Sequence, residues 1–234
     1  MATHLAPAQA HDEPRRAAST GPSLRRALLV LAAYALIVPG GELLLGTDAE
    51  QVKESARSAL TGLVLPLAAG ILVVLAIGGR RRLHEVLVEP RHLRLAAPRP
   101  LWIVPPLLGI ATVAVLATAP WGDWQTEVVL LIVLGALLVG VAEELVFRGF
   151  LLAGARTRYS ERGAFLLTCG LFGLVHGANV LAGQALAPTL GQVVFATAMG
   201  AAFYLLRRLS GALAIPMLAH GLVDVLSFVS APPA

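Results

Sequence analysis

The apolar residues of this chain arrive in long unbroken blocks, a pattern that excludes most ways of folding in water. Stretches such as Leu28 to Val38 and Leu63 to Ile77 carry no charge at all. A helix exposed to water needs charge along its outer face, whereas about 20 apolar residues suffice to cross the hydrocarbon core of a bilayer. With 57% hydrophobic and only 14% charged residues over 234 positions, the chain is expected to be an all-α polytopic membrane bundle. Hydropathy places seven spans, at about Ala27–Leu45, Ala59–Gly78, Leu101–Ala119, Thr126–Phe147, Gly163–Leu181, Pro188–Leu206 and Gly211–Val229.

The formal net charge of +4 has a bland explanation. Nearly all the basic residues fall in alternate connections: the tail (Arg15, Arg16, Arg25, Arg26), the second loop (Arg80, Arg81, Arg82, Arg91, Arg94, Arg99), the fourth (Arg156, Arg158, Arg162) and the sixth (Arg207, Arg208). The first, third and fifth loops hold only Lys53 and Arg57. This strict alternation follows the positive-inside rule and puts the N-terminus in the cytoplasm and the C-terminus outside. No nucleic-acid partner is needed to account for it. Trp102, Trp121 and Trp124 fall at span ends, where interfacial aromatics belong. Cys169 is the only cysteine and lies in an apolar segment, which excludes a disulfide framework and a cysteine-based metal site.

Residues 1–24 read as a disordered cytoplasmic tail, 25–125 as a scaffold of membrane helices and 126–230 as the part that carries chemistry. The first apolar run continues past Pro39-Gly40-Gly41 without a clean cleavage site, so a retained signal-anchor helix is expected rather than a removable leader. No repeat or inverted duplication is visible, which disfavours a transporter. The arginine-rich, lysine-poor composition suggests a bacterial cell membrane as the location.

Ionisable groups inside spans are expensive and mark function by default. Here they are Glu143, Glu144 and Arg148 on the fourth span, His176 with Asn179 on the fifth, and His220 with Asp224 on the seventh. Neighbouring helical residues diverge by about 100°, while i and i+4 share a face. Glu144 is therefore expected to pair with Arg148 and leave Glu143 free as a general base. Asn179 and Asp224 are same-face neighbours of the two histidines, and Pro216, one turn before His220, is expected to kink the last helix. Two chemistries fit this set: direct activation of water by carboxylate and imidazole, or the same groups holding a zinc ion.

Three runs, Glu143-Glu144-Leu-Val-Phe-Arg148, Phe172-Gly-Leu-Val-His176 and His220-Gly-Leu-Val-Asp224, resemble the EExxxR, FxxxH and Hxxx(N/D) motifs of the CPBP intramembrane protease family. That family includes the CAAX prenyl endopeptidases and the bacterial Abi and bacteriocin-processing proteins. The resemblance implies an endopeptidase that works without a covalent acyl intermediate, with Glu143 and His176 activating water and His220 with Asp224 holding the oxyanion or orienting the carbonyl. Glu144, Arg148, Phe172 and Asn179 would support them. Asp224 departs from the Asn typical of prenyl-processing members and leaves room for a metal-ligand role shared with Glu143, His176 and His220. HExxH, a Gly-x-Ser-x-Gly elbow and a second membrane aspartate are all absent, which sets aside the site-2-type zinc, the serine and the aspartyl intramembrane proteases.

The expected function is hydrolysis of membrane-associated or lipid-anchored peptides, with lipid as the surrounding partner. A non-catalytic bacteriocin immunity or scaffold protein and a proton-coupled transporter are the alternatives. Small residues such as Gly40-Gly41, Gly78-Gly79, Ala196, Ala198, Gly200 and Ala201 permit close helix packing without deciding the oligomeric state.

Overall fold

The computed structural model describes residues 21–45, 49–96 and 104–230. Most of the expected tail, the start of the third span, Arg99 and Trp102 lie outside them. The described residues form α1 (Leu24–Ile37), α2 (Pro39–Leu45), α3 (Ala49–Glu54), α4 (Ala56–Gly78), α5 (Leu83–Leu87), α6 (Val104–Thr118), α7 (Thr126–Ala155), α8 (Glu161–Val175), α9 (Leu186–Ser210) and α10 (Ala214–Val229). No extended strand occurs among the described residues, only the isolated bridge between Val88 and Ala212.

Five stretches are long and apolar enough to cross a membrane, beginning at Leu24, Ala56, Thr126, Glu161 and Leu186. The sixth and seventh apolar helices, α6 and α10, are shorter, at 15 and 16 residues. Leu36, Leu44, Leu72, Leu130, Leu174 and Val194 are among many large apolar side chains that point outward. A surface of this kind is stable against lipid tails and not against water. The protein is a multi-pass membrane bundle.

Helix boundaries follow local chemistry. Ser23 caps α1 by accepting the Arg26 N–H, and Ser160 caps α8 by accepting the Gly163 N–H, satisfying donors that a helix start leaves orphaned. Pro66 cannot donate to the preceding turn, and α4 widens into a π turn over Leu60–Val64 just before it. Pro216 lies in the first turn of α10, where a missing N–H has no intrahelical acceptor to lose, so the expected kink beside His220 is not required.

The fourth span differs from expectation in length. It continues past Phe147 to Ala155 and contains a π turn over Leu145–Leu151, all seven residues of which are buried. Helices α1, α5, α8 and α9 surround that turn, so it has no lipid face to keep apolar on one side only. Glu143 consequently lies 12 residues before Ala155, counted as 155 − 143, or about 18 Å into the bundle from that end. The sequence had placed it close to the arginine-rich face.

That face is closed by a polar cluster around Glu89, a fully buried residue between α5 and α6. Its carboxylate accepts from Arg156 Nη2 at 2.6 Å and Nη1 at 3.2 Å, and from Arg207 Nε at 2.7 Å. Arg156 also donates to Glu161 at 2.7 and 2.9 Å, and Tyr204 donates to Glu161 at 2.6 Å. Burial works against the Arg156 charge, but the hydrogen bonds to Glu161 and Glu89 outweigh it and raise its pKa. Three connections expected on one side of the membrane, the second, fourth and sixth, thus meet at one carboxylate. Their arginines build the floor of the bundle.

Candidate active site

Helices α7 and α10 bring the site together because they touch backbone to backbone. A Cβ added to Gly140 would collide with the Met217 carbonyl and with Gly221 N, and one added to Gly221 would sit 2.9 Å from Leu137 Cα. Only glycine permits this approach. Gly140 lies one turn before the two glutamates and Gly221 follows His220 directly, so the crossing point delivers carboxylates and imidazole to the same place.

Glu144 and Arg148 are fully buried and hydrogen-bonded, Nη1 to Oε1 at 2.8 Å. The Arg148 guanidinium lies 4.0 Å over the Phe172 ring, with Phe203 at 5.6 Å and Phe147 at 5.9 Å. An aromatic cage of this kind holds a buried cation through ring quadrupoles where hydrogen-bond acceptors are few. Glu144 Oε1 also meets His220 Nδ1 at 3.3 Å. A carboxylate accepts only, so Nδ1 carries the proton and the ring is oriented.

The other edge of His220 faces two more acids. Nε2 lies 3.5 Å from Asp224 Oδ2 and 3.8 Å from Glu143 Oε2. Both of those oxygens are buried and neither makes a hydrogen bond to the described protein. The second oxygen of Glu143, Oε1, accepts from the Tyr34 hydroxyl at 3.1 Å. Phe203 stacks on the His220 ring at 4.6 Å with 22° between planes.

His176 stands apart from this group. Its ring and that of His220 both contact the Phe172 ring edge-on, at centroid distances of 5.2 and 5.6 Å. No hydrogen bond or ion pair joins His176 to Glu143. His176 Nδ1 donates to the Phe172 carbonyl at 2.9 Å, since a carbonyl cannot donate, which leaves Nε2 as the acceptor. Asn179 does not serve His176 either. The α-helix ends at Val175, and His176–Val180 is a 3-10 turn that sends the Asn179 amide to Gln192 on α9 at 2.8 Å. A 3-10 turn keeps i and i+3 on one side, so it is the acceptor offered by Gln192 on α9, and not the helix period, that engages the Asn179 amide.

Among the described residues no three His, Cys, Asp or Glu side chains converge as a metal-binding set. Of the candidate ligands Glu143, His176, His220 and Asp224, Glu143 and Asp224 approach His220 Nε2, whereas His176 Nδ1 is turned to the Phe172 carbonyl. No step below is routed through a metal.

Tyr34, Phe203, Gly140 and Gly221 complete the site and were not anticipated. Tyr34 had a readable signal, a phenol in an apolar span that needs a partner for its hydroxyl. Phe203 had none.

Fold and site together define an α-helical multi-pass membrane protein with a buried carboxylate–imidazole centre. Residues 124–226 match the family model described as type II CAAX prenyl endopeptidase Rce1-like. This part of the chain is therefore similar to the CAAX-type membrane peptidases. The match begins just before α7 and ends within α10, so it contains every site residue except Tyr34. No curated protein and no solved structure matches the chain.

Proposed function

We propose that this protein is an intramembrane endopeptidase that hydrolyses peptide bonds of membrane-associated or lipid-anchored substrates with water activated by Glu143. The observation that carries the proposal is the arrangement of Glu143 Oε2 beside His220 Nε2, with His220 held from behind by Glu144. A base needs a free oxygen at hydrogen-bond reach of its target, and Glu143 Oε2 has no donor among the described residues.

Glu143 takes one proton from water as the water oxygen bonds to the scissile carbonyl carbon. The carbonyl oxygen becomes the oxyanion. His220, protonated at Nε2, donates to it, and Asp224 holds that imidazole edge in place. The C–N bond then breaks, and the proton held by Glu143 passes to the departing amine. His176 Nε2, beside the Phe172 ring, accepts a hydrogen bond from the substrate or from the water as the peptide is seated. Glu144 and Arg148 touch neither water nor peptide and act by fixing His220. Burial about 18 Å from the arginine-rich end suits substrates whose cleaved segment lies within the bilayer. Cleavage of a fluorogenic membrane-anchored peptide library by purified protein in vesicles tests this. Wild type is expected to cleave and Glu143→Gln is not, at equal folding. Equal cleavage by both, or none from folded wild type, overturns it.

A further inference from the structure

We infer that Tyr34 of the first span is a positioning residue of the active site, holding Glu143 by one carboxylate oxygen so that the other faces the reacting water. The inference rests on the proteolytic reading of the Glu143 site. Tyr34 is 2% exposed, and its hydroxyl donates to Glu143 Oε1 at 3.1 Å across 109 positions of sequence. Its ring packs on α4 near Gly70, and the π turn that follows Glu144 packs against α1. The phenol is thus aimed by two neighbouring helices rather than by its own rotamer preference.

A glutamate carries three side-chain torsions, and an unrestrained carboxylate presents either oxygen to a substrate. Donation to Oε1 removes that equivalence. It leaves Oε2 toward His220 Nε2 at 3.8 Å, the side where the proton must be collected. The first span lies wholly outside the family-matched segment 124–226, yet it supplies this contact. The N-terminal helices are therefore part of the working site and not only its support.

Tyr34→Phe removes the hydroxyl and keeps the ring. Two readouts decide the matter. The infrared carboxyl bands of Glu143, assigned by the wild type minus Glu143→Gln difference spectrum, are expected to shift in Tyr34→Phe. Peptide cleavage is expected to lose roughly tenfold in kcat at unchanged KM and melting temperature, the size of one lost hydrogen bond to a charged group. An unshifted band, or a shifted band with unchanged kcat, overturns the role of Tyr34 while leaving the protease intact. No cleavage by folded wild type removes the protease reading and the positioning role with it, a different result from an unshifted band. If Tyr34→Phe melts early, 3-fluorotyrosine at position 34 perturbs the same hydrogen bond without loss of packing, and both readouts are repeated on it.

Discussion

Two buried clusters of carboxylates and cations sit in this bundle, and they are finished to different degrees. At the arginine-rich face, both Glu89 oxygens are met by Arg156 or Arg207, and Glu161 is met by Arg156 and Tyr204. In the interior, Glu143 Oε2, Glu144 Oε2 and Asp224 Oδ2 have no hydrogen bond to the described protein, and Arg148 leaves Nε and Nη2 without acceptors. An unpartnered buried oxygen costs roughly 1–3 kcal/mol, more when charged. The face cluster spends its charges on holding three loops together. The interior cluster keeps oxygens open, as a site must if it is to take protons from something else.

The contrast breaks most sharply if function and stability fail to separate. Glu143→Gln is expected to abolish peptide cleavage while leaving the melting temperature in detergent within a degree or two, because its Oε2 makes no hydrogen bond to the described protein. Glu89→Gln is expected to do the reverse. Leaving Arg207 buried without its carboxylate, while Arg156 keeps Glu161, should cost about 3–5 kcal/mol of stability, read by thermal unfolding, with cleavage per folded molecule retained. If Glu89→Gln instead removes cleavage from well-folded protein, the face cluster is part of the catalytic apparatus and the comparison is wrong.

A smaller change sharpens the interior side. Gly221→Ala forces α10 away from Leu137 and Ala136, and a shift of about 1 Å at His220 is expected to cost around a hundredfold in kcat. Gly170→Ala, where an added Cβ meets nothing, is the matched control and should cleave normally. The smallest effect belongs to Phe203→Leu, which removes the ring stacked on His220. A loss of about 0.5–1.5 kcal/mol, or a few-fold in kcat, is expected from a cleavage assay.

Much of this protein is legible without coordinates, and the reason differs from region to region. Span positions follow from composition, since lipid admits only helices with every backbone group paired. The Glu144–Arg148 pair follows from helical spacing alone. Tyr34 was harder, because its partner lies 109 positions away and no local period connects them. His176 was misjudged in its neighbour, since the Asn179 amide donates to Gln192 on α9, a partner that spacing within one helix could not reveal. The arginines of the second, fourth and sixth loops were read as orientation signals, and Glu89, an acid in a basic loop, gave no hint that they converge on it.

By itself the sequence determined that the chain crosses a membrane, which residues ionise inside it, and which of those share a helical face. These depend on transfer free energy and on a 3.6-residue period, both local properties. Only the tertiary structure decided which acid faces which imidazole, that both histidines meet the Phe172 ring, and that the first span reaches the site. Those outcomes depend on where helices cross, and the crossing of α7 with α10 is set by two glycines whose missing side chains have meaning only when the helices meet.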